Sequence, residues 1–136
     1  MKVIIVGGGK VGTSLALLLL EKGYTVKVIE AEREKISRLQ QDLPANVVAL
    51  GNGTDPVVLE AAGILGVDVV AATTGQDETN LVVTNLARFA FNVARVVARV
   101  NNPKNARMFT PMMGAAVAVN QADLMARLIA KESVTE

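Results

Sequence analysis

Apolar residues fall along the chain in two rhythms. Short runs rich in β-branched residues recur at "KVIIV" (2–6), "TVKVIE" (25–30), "NVVAL" (46–50), "VDVVAAT" (67–73), "ARVVARV" (94–100) and "AAVAVN" (115–120). Most read as near-continuous apolar stretches, the mark of parallel strands covered on both faces. Amphipathic stretches of helical length fill the gaps, at about 10–22, 32–42, 76–91 and 121–132, with a short turn at 103–109. The first carries an apolar block from Leu15 to Leu20 and stops at Gly23, a residue suited to the position just past a helix end. The second stops before Pro44. A further helix opens at Pro56 behind Asp55 as N-cap and closes on glycine. The fourth starts after Thr74 and Asp77, whose spacing fits a capping box.

Strands and helices alternate with short connections and without a linker or low-complexity segment. One domain over 1–136 is expected, a Rossmann-like α/β fold with a doubly wound parallel sheet of six strands in the order 3-2-1-4-5-6. Ligands of such sheets sit at the carboxyl ends of the strands, which directs attention to the segments after residues 6, 30, 50, 73 and 100.

Directly after the first strand, Gly7, Gly9 and Gly12 form G-x-G-x-x-G at the opening of a helix. In that setting Gly7 permits the tight turn, Gly9 leaves room for a pyrophosphate, and Gly12 lets the helix pack against the strand. The helix N-terminus adds unpaired N–H groups and a partial positive charge, so an anion is expected there. Glu30 ends the second strand 18 residues after Gly12, near the spacing of an acid that accepts hydrogen bonds from ribose hydroxyls. Its charge would repel a 2′-phosphate, which disfavours NADP even with Arg33 nearby. Lys10 and Val11 occupy the same loop. The Lys10 ammonium has three readings: a phosphate partner, a partner carboxylate on a neighbouring subunit, or a solvated surface cation.

Composition narrows the chemistry. With 14 basic against 13 acidic residues the net charge is +1, which gives no general attraction to nucleic acid. Cysteine, histidine and tryptophan are absent and Tyr24 is the only tyrosine. Disulfides and thiolate metal sites are thereby excluded, and the usual base for nucleophilic catalysis is missing. No leader pattern precedes the first strand, and no apolar run nears the ~20 residues that span a bilayer. A cytoplasmic protein without direct membrane insertion is expected, and not an enzyme. The competing reading is the cofactor domain of an NAD-dependent dehydrogenase. That role requires a substrate-binding region and a proton donor beside the nicotinamide, and the chain offers neither.

The glycine loop, "VVLEAAGI", "GNGTDP", "TTGQDETN" and "VARVNNP" together resemble the nucleotide-binding domain of potassium-transport regulators, the RCK or KTN domain of Trk- and Ktr-type uptake systems and of some potassium channels. The resemblance covers nearly the whole chain. It implies a cytosolic regulatory domain that binds NAD or NADH, or ATP or ADP, and passes its ligand state to a membrane-embedded potassium transport subunit at the inner face of the plasma membrane. It also implies homodimers and eight-domain rings, with a C-terminal helix crossing to a partner. On that reading Phe89, Phe91, Met108, Phe109, Met112 and Met113 form an apolar surface; the alternative is packing beneath the sheet edge.

The family often has an aspartate after the third strand, where this chain has Asn52 between Gly51 and Gly53. Asn52 either contacts the nucleotide or simply makes the turn. Thr73 and Thr74 stand where they would meet ribose or phosphate, with helix capping the competing role for Thr74. Asp77 and Asn80 share one helix face, and the resemblance places that face beside the cleft. Arg99, near the end of a central strand, requires a partner, either a phosphate or an acid of this chain.

Overall fold

Val3, Ile4, Ile5 and Val6 are all buried in the computed structural model, which describes residues 1–130. Four successive residues of a strand point alternately to opposite faces, so both faces of the sheet must be covered. Strand β1 (Lys2–Val6) sits at the centre of six strands, with β2 (Thr25–Glu30) and β3 (Val48–Leu50) on one side. On the other side lie β4 (Val69–Ala72), β5 (Arg95–Arg99) and β6 (Val117–Val119). The order is β3-β2-β1-β4-β5-β6 and every pairing is parallel. This is the doubly wound Rossmann-like topology expected from the alternation, with the order reversing between β1 and β4.

The period-2 rule divides the core. Val3, Ile5, Val26, Val28 and Ala71 pack with Ala16 of α1 (Lys10–Glu21) and Leu39 of α2 (Arg33–Asp42). Ile4, Val6, Ile29, Val70 and Val96 face the opposite layer, with Leu59 of α3 (Pro56–Ala61) and Val83 of α4 (Asp77–Asn85). Burying one such aliphatic side chain contributes about 1.5–3 kcal/mol. The helix ends follow their punctuation: Gly23 takes φ +83° behind α1, and Asp55 Oδ1 accepts the Val57 N–H at 2.9 Å with Pro56 in the first position of α3.

Several boundaries differ from the sequence expectation. Residues 45–47 form a turn of 3-10 helix behind Pro44, so β3 begins at Val48 and not at residue 46. β4 and β6 are shorter than the apolar runs that marked them, because Val67 and Ala115 are buried in connections and not in ladders. The fourth helix keeps α-helical bonding only to Asn85; Leu86–Ala90 continues as a π turn that ends beside Asn92, at φ 54°. The last helix, α5 (Gln121–Ile129), begins where expected behind Asn120, whose Oδ1 accepts the Asp123 N–H at 2.8 Å. Positions 131–132 of the expected helix lie outside the described residues. Among the described residues no helix is long and apolar enough to cross a membrane.

Candidate functional site

At the carboxyl edge of the sheet, where the strand order reverses, lies an open cavity of about 610 Å³. That volume is within the range of small-molecule sites. All the strands but β6 contribute: Val6, Gly7 and Gly9 from β1 and its loop, Glu30 from β2, Asn52 after β3, Thr73, Thr74 and Gly75 after β4, and Arg99 of β5.

Each glycine of the loop has a different reason to be glycine. Gly7 has φ +111°, and a side chain there would stand 2.9 Å from the Thr74 backbone nitrogen. A Cβ on Gly12 would run into the Gly7 carbonyl oxygen, so α1 can rest on β1 only with glycine at this point. Gly8, outside the three-glycine pattern, is crowded by a side chain and not by backbone. Its missing side chain makes room for Leu39, and its N–H donates to Glu30 Oε1 at 2.8 Å. Gly9 is the exception, because its φ of −74° suits any residue and an added Cβ would meet nothing within 4 Å. It lines the cavity all the same. Gly9 is also the N-cap of α1 and supplies no side-chain cap, so the first N–H groups of the helix face outward without a side-chain partner.

Glu30 is only 6% exposed. Beside the bond from Gly8, its Oε2 accepts the Glu32 N–H at 2.9 Å. A carboxylate has about four lone-pair sites, so two remain for hydroxyl donors from the cavity it lines. Lys35, not singled out from the sequence, shares this wall; its Nζ lies 2.6 Å from Glu32. The bond to Glu32 raises the Lys35 pKa, against the opposing effect of burial, with Glu30 adding to the rise. On the β3 side, Asn52 Oδ1 accepts the Thr54 N–H at 2.9 Å and the Thr54 hydroxyl at 2.7 Å. Its carbonyl therefore serves the turn, while the residue still lines the cavity.

Across the cavity, Thr73 Oγ1 lies 3.1 Å from the carbonyl oxygens of both Val6 and Gly7 and ties β4 to β1. The capping-box reading of Thr74 and Asp77 is not what the structure shows: Gln76 is the N-cap of α4, without a side-chain cap. The Thr74 hydroxyl instead donates to Asn80 Oδ1 at 2.6 Å, and the Asp77 carboxylate turns towards the segment after β5. Asp77 accepts from the Asn101 N–H (2.6 Å), the Asn101 amide (3.0 Å), the Asn102 N–H (2.9 Å) and the Asn105 amide (2.8 Å). Burial alone would push its pKa up, but these four donors outweigh it and hold the carboxyl below its ordinary value.

Of the twelve residues singled out from the sequence, Gly7, Gly9, Glu30, Asn52, Thr73, Thr74 and Arg99 meet on the cavity wall. Lys10 is exposed outside it, Val11 is half-buried and Gly12 lies beneath the loop. Asp77 and Asn80 are buried behind the wall and not beside the cleft. The Arg99 guanidinium forms no ion pair with an acid among the described residues, so the structural ion pair weighed for it is not formed there. Of the six residues proposed as an apolar surface, Phe109 is buried and Phe91 half-buried against the core. Phe89, Met108, Met112 and Met113 are exposed.

Residues 3–121 match the TrkA-N domain model. The chain belongs to the TrkA-N domain family. It is 38% identical over 135 residues to the Trk system potassium uptake protein TrkA of Mycobacterium tuberculosis, covering 99% of this chain and 60% of that protein. It thus spans about three fifths of that relative's length. Among solved structures, this TrkA-N domain superposes on the GsuK channel bound to NAD with a TM-score of 0.79 at 26% identity, over 96% of this chain and 22% of that one. GsuK bound to ADP gives the same score and identity, over 96% of this chain and 33% of that one. The resemblance to RCK domains read from the motifs agrees with these matches, since an RCK domain of GsuK is itself among the similar structures.

Proposed function

We propose that this TrkA-N domain is the nucleotide-sensing part of a cytoplasmic regulator that controls a membrane-embedded potassium transporter or channel. It binds NAD or NADH, or ATP or ADP. The diphosphate lies over Gly9 at the N-terminus of α1, the adenosine ribose hydroxyls bond Glu30, and the rest of the ligand extends towards Thr74 and Arg99. Gly9 is the observation that carries this reading. Nothing in the fold requires glycine there, an added Cβ would stand in open space, and the residue lines the same cavity as Glu30. A backbone left bare towards a cavity at a helix N-terminus is what a phosphate needs.

The wall supports binding more than catalysis. Its one lysine, Lys35, is paired with Glu32 at the ribose end, and its other polar groups are carboxylate, amide, hydroxyl and guanidinium. No side chain on the distal wall serves as a proton donor for hydride transfer. Ligands that differ in their distal half make different contacts with the β4 and β5 loops. Through that difference they favour different angles between paired domains in a homodimer or an eight-domain ring. Titration calorimetry with NAD, NADH, ATP and ADP tests the reading, with NADPH as control. Binding of at least one of the four, with NADPH weaker than NADH, is expected; absence of binding, or NADPH bound as tightly as NADH, overturns it.

A further inference from the structure

Two side chains tie the walls around the distal half of the cavity: Asn101, whose Nδ2 donates to the Thr74 carbonyl at 3.0 Å, and the buried Asn80, which reaches both Thr74 and Arg99. The β4–β5 ladder makes its last pairing between Ala72 and Ala98, so Thr73, Thr74 and Arg99 lie beyond it. There Asn80, fully buried in α4, continues the connection. Its Nδ2 donates to the Thr74 carbonyl and to the Arg99 carbonyl, each at 3.0 Å. Its Oδ1 accepts the Thr74 N–H at 3.0 Å and the Thr74 hydroxyl at 2.6 Å. Two donors and two acceptors are the full capacity of a side-chain amide, so none is left for a ligand. Thr74 and Arg99 both line the cavity, and the Arg99 guanidinium has no carboxylate partner among the described residues.

We propose that Asn80 is a positioning residue. It touches no ligand, yet by fixing Thr74 against Arg99 it sets how tightly the cavity holds whatever lies beyond the first phosphate of a nucleotide. This rests on the nucleotide reading and adds a division of labour to it. Neighbouring strands are about 4.8 Å apart, so the end of β5 is roughly 10 Å from the glycine loop on β1, while Glu30 is one strand away on the other side. The Thr74 backbone stands against Gly7, so AMP, held by Glu30 and the glycine loop, comes up to Thr74 but stops short of Arg99, the far wall that Asn80 holds. NAD, with a second nucleoside beyond its diphosphate, reaches it. Asn80 therefore governs the distal half of a ligand and leaves the adenosine half alone.

Calorimetry with AMP and with NAD on the 136-residue chain separates the two halves. Asn80→Ala is expected to weaken NAD about tenfold and AMP less than about twofold. Val83→Ala, at a buried position on the same helix, lowers the unfolding midpoint but leaves the ratio of the two affinities unchanged. Asn80→Asp keeps the acceptor towards the Thr74 N–H and hydroxyl and removes the donors towards the Thr74 and Arg99 carbonyls, so it makes the same comparison if the alanine variant does not fold. Equal weakening of AMP and NAD in the Asn80 variants, or an equal change of ratio in Val83→Ala, overturns the positioning role. A wild-type chain that binds ATP or ADP but not NAD overturns the positioning role alone, and one that binds none of AMP, NAD, NADH, ATP and ADP overturns the nucleotide reading itself.

Discussion

Gly9 and Gly12 stand in one motif and answer to different constraints. Gly12 is fixed by the fold, because a methyl group there meets the Gly7 carbonyl. Gly12→Ala is expected to cost about 1–3 kcal/mol of stability in urea unfolding, as overpacking does. Gly9 is fixed by nothing inside the chain. Gly9→Val, in extended backbone at ψ −164°, is expected to change stability by no more than about 0.5 kcal/mol while abolishing measurable nucleotide binding by calorimetry. Glu30 combines both kinds of constraint, since it holds the loop through Gly8 and faces the cavity. Glu30→Gln removes the charge that repels a 2′-phosphate and one acceptor from the loop. NADH affinity is expected to fall about tenfold and the preference over NADPH to shrink. The motif spacing made Gly7, Gly9, Gly12 and Glu30 legible in the sequence. Gly8 was not, because its demand comes from Leu39 and Glu30, residues far along the chain that only folding brings there.

At the level of elements, α4 shows how a local reading loses to a distant partner. Thr74 and Asp77 have the spacing of a cap, and a short polar side chain at a helix start usually bonds its own backbone. Here Asp77 finds four donors on the segment after β5, and Thr74 finds Asn80, so the cap is left without a side chain. Burial of the carboxylate is repaid by this set of donors. Because the folded carboxyl is held below its ordinary value, Asp77 adds stability above its unfolded pKa, and this is lost as pH falls through the lower folded value. Asp77→Asn, which removes an acceptor and the charge, is expected to cost about 1–3 kcal/mol at neutral pH, a difference that narrows on acidification below pH ~4. Urea unfolding of both proteins across that range measures it.

For the whole molecule, exposed apolar side chains are spread over several elements, and the last helix carries one set of them on a single face. No residue of α5 is buried; Leu124 and Leu128, and Met125 and Ile129, each four apart, form one exposed apolar face, with Ile129 80% exposed. On the proposed pairing of domains this face belongs to a contact with a second copy, and a charge on it should weaken association without unfolding the domain. Ile129→Asp is expected to leave the unfolding midpoint within a few degrees and to lower the dimer fraction in sedimentation velocity. Solution scattering with NADH and with ATP is expected to give different dimer dimensions, and identical ones would refute ligand-dependent pairing. The sequence by itself determined the fold class, the strand order, the helix caps at Gly23 and Asp55 and the glycine loop. These follow from local periodicity, from the rules for connecting alternating strands and helices, and from residues whose backbone or short side chain suits one position. Only the tertiary structure decided that Asp77 and Asn80 stand behind the cavity, that Lys35 joins its wall, and that Arg99 faces it without an acid among the described residues. Those outcomes depend on which distant groups satisfy a buried donor or acceptor first, and spacing along the chain carries no record of that competition.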